Sequence, residues 1–150
     1  MKKLRRLYLF ILIALCSLTS SVSLAQSRCL FPKNSQLARD QRDSDKMNCL
    51  RSQIQRLSFA NCTQVARSME YSTTAEEAKL LCLYEKATSL SQCLNVAKSL
   101  EYPDSGDEAR WHCLKNFSGK LSKAECKKIS EKMSYPAQRN RATVFCQSEI

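Results

Sequence analysis

Apolar positions recur at helical spacing through most of the chain. Cys62, Val65, Ala66 and Met69 fall at i, i+3, i+4 and i+7, one face of a 3.6-residue period. Cys93, Val96, Ala97 and Leu100 repeat the pattern, as do Cys126, Ile129 and Met133. Serines mark helix starts: Ser58, Ser91 and Ser122 are each expected to cap a first turn, and Ser122 has Glu125 three residues on, a capping box. Between these segments lie second helices, expected to open at the pairs Thr73 with Glu76, Thr74 with Glu77 and Ser105 with Glu108. Pro103 and Pro136 directly follow Tyr102 and Tyr135, where a preceding helix must stop. Gly119 is expected to close a second helix as its C′ residue. Beyond residue 25 there are only six Val and Ile, and the whole chain has 2 Gly and 3 Pro. A sandwich or barrel, with its frequent turns and β-branched strands, is excluded on those grounds.

The cysteines turn this string of helices into a repeat. Cys29, Cys49, Cys62, Cys82, Cys93, Cys113, Cys126 and Cys146 are separated by 20, 13, 20, 11, 20, 13 and 20 residues. The constant 20 defines a unit, and the units recur at steps of 33, 31 and 33 residues. Aligned on their first cysteine, units two to four share Met69, Leu100 and Met133, then Tyr71, Tyr102 and Tyr135, then Ala78, Ala109 and Ala142. The first unit shares only the cysteines by this alignment, as a capping repeat does. Each unit reads as helix, tight turn, helix. In such an antiparallel hairpin the two cysteines face each other at the open end, within the 4.4–6.8 Å that bridged Cα atoms require. The expected pairs are therefore Cys29–Cys49, Cys62–Cys82, Cys93–Cys113 and Cys126–Cys146. The fold expected is all-α: a short solenoid of four disulfide-stapled αα-hairpin repeats. The 34-residue tetratricopeptide unit is of similar length, but its Trp, Leu-Gly and Pro positions are missing here.

Residues 1–25 change the compartment. Lys2, Lys3, Arg5 and Arg6 precede the apolar run from Leu7 to Leu15, and small residues at Ser23 and Ala25 suit cleavage before Gln26. The run is shorter than the roughly 20 residues that cross a bilayer, so a cleaved signal peptide is expected, followed by a helical-repeat domain at residues 26–150. Cleavage removes Cys16 and leaves eight cysteines, an even number that in an exported chain reads as disulfides. The short basic leader has a bacterial look, which makes the destination periplasmic or secreted. Without the leader the chain keeps 20 basic residues against 14 acidic, a net of +6, and +5 of that excess lies between Leu114 and Ile150.

Candidate chemistry is sparse. His112 is the only histidine, and no GxSxG, HExxH, CxxC or Gly-rich phosphate loop is present. The cysteines are too far apart for a zinc site. Asp40, Asp43 and Asp45 miss the calcium-loop spacing, and Asp43 or Ser44 is better read as a helix cap. No cofactor or metal is expected, and no catalytic residue is assigned. Three features are candidates for partner binding: the row of Tyr71, Tyr102 and Tyr135, otherwise read as sealing the turn against the neighbouring hairpin; the lone Trp111; and the stripes Lys123/Lys127 and Lys128/Lys132, each four residues apart. The expected function is a non-enzymatic exported module that binds a protein or glycan, with no nucleic acid and no stable membrane insertion after leader cleavage. Two alternatives are a binder of anionic envelope polymer through the basic C-terminal repeat, and a small hydrolase using His112.

Overall fold

A computed structural model describes residues 29, 30 and 37–150. The expected leader and residues 31–36 of the first repeat's opening arm lie outside the described residues. Seven helices follow: α1 (Arg39–Gln53), α2 (Phe59–Arg67), α3 (Ser72–Lys86), α4 (Leu90–Ser99), α5 (Pro103–Asn116), α6 (Lys123–Ser130) and α7 (Pro136–Ser148). No strand occurs among the described residues. The pairs α2/α3, α4/α5 and α6/α7 are hairpins, and α1 is the second arm of the first repeat. Disulfides join Cys29–Cys49, Cys62–Cys82, Cys93–Cys113 and Cys126–Cys146, with Cα atoms 5.5–5.7 Å apart. Ala78, Ala109 and Ala142, one turn before each second cysteine, are fully buried where the arms approach.

The first helices start as side-chain caps dictate. Ser58 accepts from the Asn61 N–H (3.2 Å), and Ser122 and Glu125 complete their capping box. The cap of α4 is Ser89, not Ser91: Ser89 accepts from the Gln92 N–H (3.3 Å), and Gln92 returns the bond to the Thr88 N–H (2.9 Å). That reciprocal pair fixes the start two residues earlier than expected. The second helices use no side-chain cap at all. They begin directly after Tyr71, Tyr102 and Tyr135, with Pro103 and Pro136 in their first turns, where the missing N–H and fixed φ of proline cost nothing. Thr73, Thr74 and Ser105 thus lie inside helices, not at their starts. Gly119 is no C′ residue either: α5 ends at Asn116 with Phe117 as its cap, and no described residue has positive φ. Asp43 is not a cap, because α1 starts four residues before it.

The units stack in two rows. Second helices α1, α3, α5 and α7 pack side by side, and each of the first three also meets the first helix of the next repeat. What fixes this register is a clasp on each of the second helices α1, α3 and α5, six and three residues before its second cysteine. Asp43 is almost completely buried and accepts the backbone N–H groups of Glu70 (2.8 and 3.1 Å) and Tyr71 (2.8 Å) in the next turn. Lys46, also buried, donates to the Ser68 carbonyl (2.5 Å) at the end of α2 and pairs with Asp43 at 3.7 Å. One repeat on, Glu76 accepts from Glu101 and Tyr102, and Lys79 donates to the Ser99 carbonyl (2.9 Å). At the last junction Asp107 accepts from Ser134 (2.8 Å) and Tyr135 (2.9 Å), with Arg110 beside it at 3.3 Å. Here the Met133 carbonyl is taken by Arg139 of its own hairpin (2.7 and 3.1 Å). The first repeat, which by sequence shares only its cysteines, therefore shares the clasp as well.

The carboxylate works because buried N–H groups must find acceptors. Each clasped tyrosine gives its N–H to the preceding repeat, while its carbonyl accepts the first bond of its own second helix, from Ala75, Gly106 or Arg139. Both aspartates use both oxygens. Glu76, one methylene longer, brings Oε1 to both donors, and its buried Oε2 has no partner. Around the first junction Glu70 is also gripped by Arg42 (2.7 and 2.9 Å) and Arg39 (3.4 Å). The Arg42 hydrogen bond leads in holding its carboxyl below the usual range.

Two expectations follow. Replacing Cys62 and Cys82 together by Ala lowers unfolding free energy by about 3 kcal/mol, from loss of a 20-residue closed loop, measured by urea titration. Asp107→Ala costs a further-reaching defect, about 3 kcal/mol, because two buried N–H groups and a cation lose their partner. Asn140→Ala, at the equivalent but exposed position of the last repeat, stays within about 0.5 kcal/mol. Equal effects for Asp107 and Asn140 in the same titration would remove the clasp as the source of register.

Candidate functional site

A unit-specific constellation with an aromatic centre sits where α5 meets α7. Asp104, Glu108, Trp111 and Lys115 recur at helical spacing on α5, so they form a single stripe. Across from them stand Tyr135, Gln138 and Arg141 of the fourth repeat, and the two sides line an open groove of about 740 Å³. Trp111 is half-buried. Its ring meets Phe145 edge-on, with centroids 5.3 Å apart, which anchors it to the fourth repeat's core. Its faces are held by cations: the Arg141 guanidinium lies 4.3 Å from the ring centroid and the Lys115 ammonium 5.5 Å. Each such contact contributes about 0.5–1 kcal/mol at an exposed site. The same contacts preorganise an aromatic surface rimmed with positive charge.

The carboxylates of the groove are engaged as well. Tyr135 bonds Asp104, which is the main reason its phenol is raised above the ordinary value. Glu108 accepts from the Tyr84 hydroxyl (3.0 Å) of the second repeat. Burial, followed by Glu108, pushes the Tyr84 phenol up to about 12. Tyr84 also packs edge-on against His112, centroids 4.7 Å apart. His112 is pushed below its ordinary value, chiefly by burial and then by Lys115, against a smaller opposing effect of Glu108. Its ring has no hydroxyl or thiol hydrogen-bonded to it among the described residues, and every described cysteine is in a disulfide. Nor do three His, Cys, Asp or Glu side chains converge there in a way that holds a metal ion.

The sequence-predicted residues are thus divided. Tyr71, Tyr102 and Tyr135 sit at the same turn in successive repeats, 46, 42 and 44 % exposed. Each hydroxyl that is engaged reaches the preceding repeat, Tyr102 to Ser72 Oγ (3.0 Å) and Tyr135 to Asp104, so sealing the junction and presenting an aromatic edge are both served. Only Tyr135 joins Trp111. Lys123 and Lys127 line one groove with Thr143 and Gln147, and Lys132 lines another with Asn95. Lys123 donates to the Gln147 carbonyl (3.3 Å) at the end of α7, and Lys127 lies 3.9 Å from Glu131. Lys132 faces away from both, toward α4. Arg141, Asp104 and Glu108 were not singled out from sequence, although the spacing 104, 108, 111, 115 was there to be read.

The depressed His112 has a pH consequence. The neutral ring is favoured in the folded state, so its contribution to stability is full above about 6.5 and falls as pH drops from there through the folded value. In an NMR titration the His112 imidazole is expected to titrate below 6.5, and Lys115→Gln to move it part of the way back. A midpoint at or above 6.5 in the folded protein would contradict this burial. Comparison with protein-family models, with curated proteins and with solved structures finds no match for this chain.

Proposed function

We propose that the protein is a non-enzymatic exported module that binds a protein or glycan partner in the groove between α5 and α7. The observation that carries this reading is Trp111, with Arg141 and Lys115 over its ring, on the wall of an open groove that also presents Tyr135. Tryptophan, tyrosine and arginine are the residues that dominate binding surfaces, because they offer large, rigid contact area with polar handles. Stacked hairpins supply such surfaces readily and deep reaction chambers seldom. The four disulfides support a compartment outside the reducing cytoplasm. Among the described residues no helix is long and apolar enough to cross a membrane; the periplasm or the exterior is where we place the protein.

The test compares variants in affinity capture from envelope and culture extracts. Tyr135→Ser with Arg141→Glu is expected to lose a partner that the wild type retains. Val144→Ser, an exposed change outside the groove's lining, is expected to retain it. An unchanged set of captured molecules in the groove variant overturns the assignment. So does a turnover activity abolished by His112→Gln, which would move the protein to the enzyme class.

A further inference from the structure

The two rows of helices differ in charge as well as in place. Helices α2 and α4 contain no Asp or Glu, and the only acids of the α6 arm are Glu125 and Glu131. Glu125 is tied to Ser122, and Glu131 lies beside Lys127. The acids of repeats two and three all lie in the turns and on the second helices. The first-helix face is therefore the positive face of the stack.

That face is grooved once per repeat. Between α2 and α4 runs an open groove of about 380 Å³, whose lining includes Thr63, Arg67, Lys79, Asn95 and Ser99. Between α4 and α6 runs a second, of about 340 Å³, whose lining includes Asn95, Lys98, Arg110, Ile129 and Lys132. Asn95 lines both, so they adjoin, and neither lining contains a carboxylate. Lys79 and Arg110 are committed to the clasps and supply positive charge from the floor. Arg67, Lys98 and Lys132 are exposed at the rim. Arg67 makes a long bond to Thr63 Oγ1 (3.4 Å), and among the described residues Lys98 and Lys132 meet no acid. Cations in a helix's last turn also answer its dipole. Lys132, however, lies beyond the end of α6, and the dipole does not require the groove walls to be free of acids.

We propose that this face binds a linear acidic polysaccharide laid across α2, α4 and α6. Rim cations supplied in turn by α2, α4 and the end of the α6 arm suit a linear polymer that carries negative charge along its length. A sugar chain bearing carboxylates or sulfates along its length fits that description. The neutral groups between the cations, Thr63, Asn95 and Ser99, can pair with sugar hydroxyls. The surface is separate from the α5–α7 groove, and of the four lysines of the C-terminal repeat it uses Lys132 alone.

The experiment measures binding of polygalacturonate and of heparin by isothermal titration, with poly-L-glutamate and neutral dextran alongside. At least one acidic polysaccharide is expected to bind, at least about tenfold more weakly at about 300 mM than at about 50 mM salt. The triple variant Arg67→Gln, Lys98→Gln, Lys132→Gln is expected to lose roughly tenfold or more, while keeping the wild-type melting temperature because all three sites are exposed. A charge-matched triple outside these grooves, Arg51→Gln, Arg56→Gln, Lys120→Gln, is expected to stay within about twofold. Failure of both polysaccharides to bind overturns the proposal. Equal losses in the two triples show that net charge alone is responsible, and poly-L-glutamate binding as tightly as the sugars assigns the face to acidic proteins; either result also overturns it.

Discussion

A helical hairpin closed by a disulfide still has an unsolved problem at its other end. The turn exposes backbone N–H groups just before the second helix, and burying them against a neighbour leaves them without water. In this protein the neighbour brings the acceptor. Asp43, Glu76 and Asp107 each take two such N–H groups from the following repeat, while Lys46 and Lys79 take a carbonyl from the end of its first helix. The disulfides hold arms together within a unit. The buried carboxylates decide how one unit sits on the next, because two N–H donors a few ångströms apart accept only one placement of the oxygens. The apolar contacts between repeats, with Leu50, Leu57, Leu83 and Leu114 among them, are non-directional and by themselves would tolerate sliding.

The same constraint sorts charge. To reach a turn of the next hairpin, the acceptor has to be on a second helix, near its start. Acidic residues therefore accumulate in that row, and for Asp43 and Asp107 a basic residue three positions on pairs with the buried carboxylate and limits its cost. The first helices have no such duty. Their polar positions are free to be basic or neutral, and α2 and α4 carry no acid at all. An architecture built on carboxylate acceptors thus arrives with one mixed face and one positive face before any ligand is considered.

Much of this was legible in the residues. The separation of 20 gave the unit and the disulfide pairing, and the i, i+3, i+4, i+7 spacing of Cys62, Val65, Ala66 and Met69 gave the buried side of α2. Reading failed where a residue's partner lies in another repeat. Glu76 three positions after Thr73 looks like a local capping box, yet its carboxylate turns away from its own helix to Tyr102. Asp43 looked like a helix start for the same reason. A signal existed in the alignment: acid at six and base at three before the second cysteine in repeats one to three, Asn140 and Thr143 in the fourth. Charged residues at a helix's polar spacing read as solvent-exposed, since buried charge is rare. The α5–α7 groove was half visible. Trp111 stood out by being alone, but its cations come from two helices, and only stacking brings Arg141 over its ring.

The clasp also explains why a site can differ from repeat to repeat without disturbing the stack. The carboxylate and its cation fix the junction from the buried side of the second helix, largely through backbone groups of the next turn. The position two before the second cysteine is then free of structural duty beyond filling space, and it is occupied in turn by Met47, Leu80, Trp111 and Val144. At the first two places the side chain is buried or half-buried, at the last it is largely exposed, and only in the third is it an aromatic ring with cations on it. The proposed binding site is therefore centred on a position the register does not read. A junction held by backbone acceptors is what allows one repeat in four to carry a groove of its own chemistry while the rest remain scaffold.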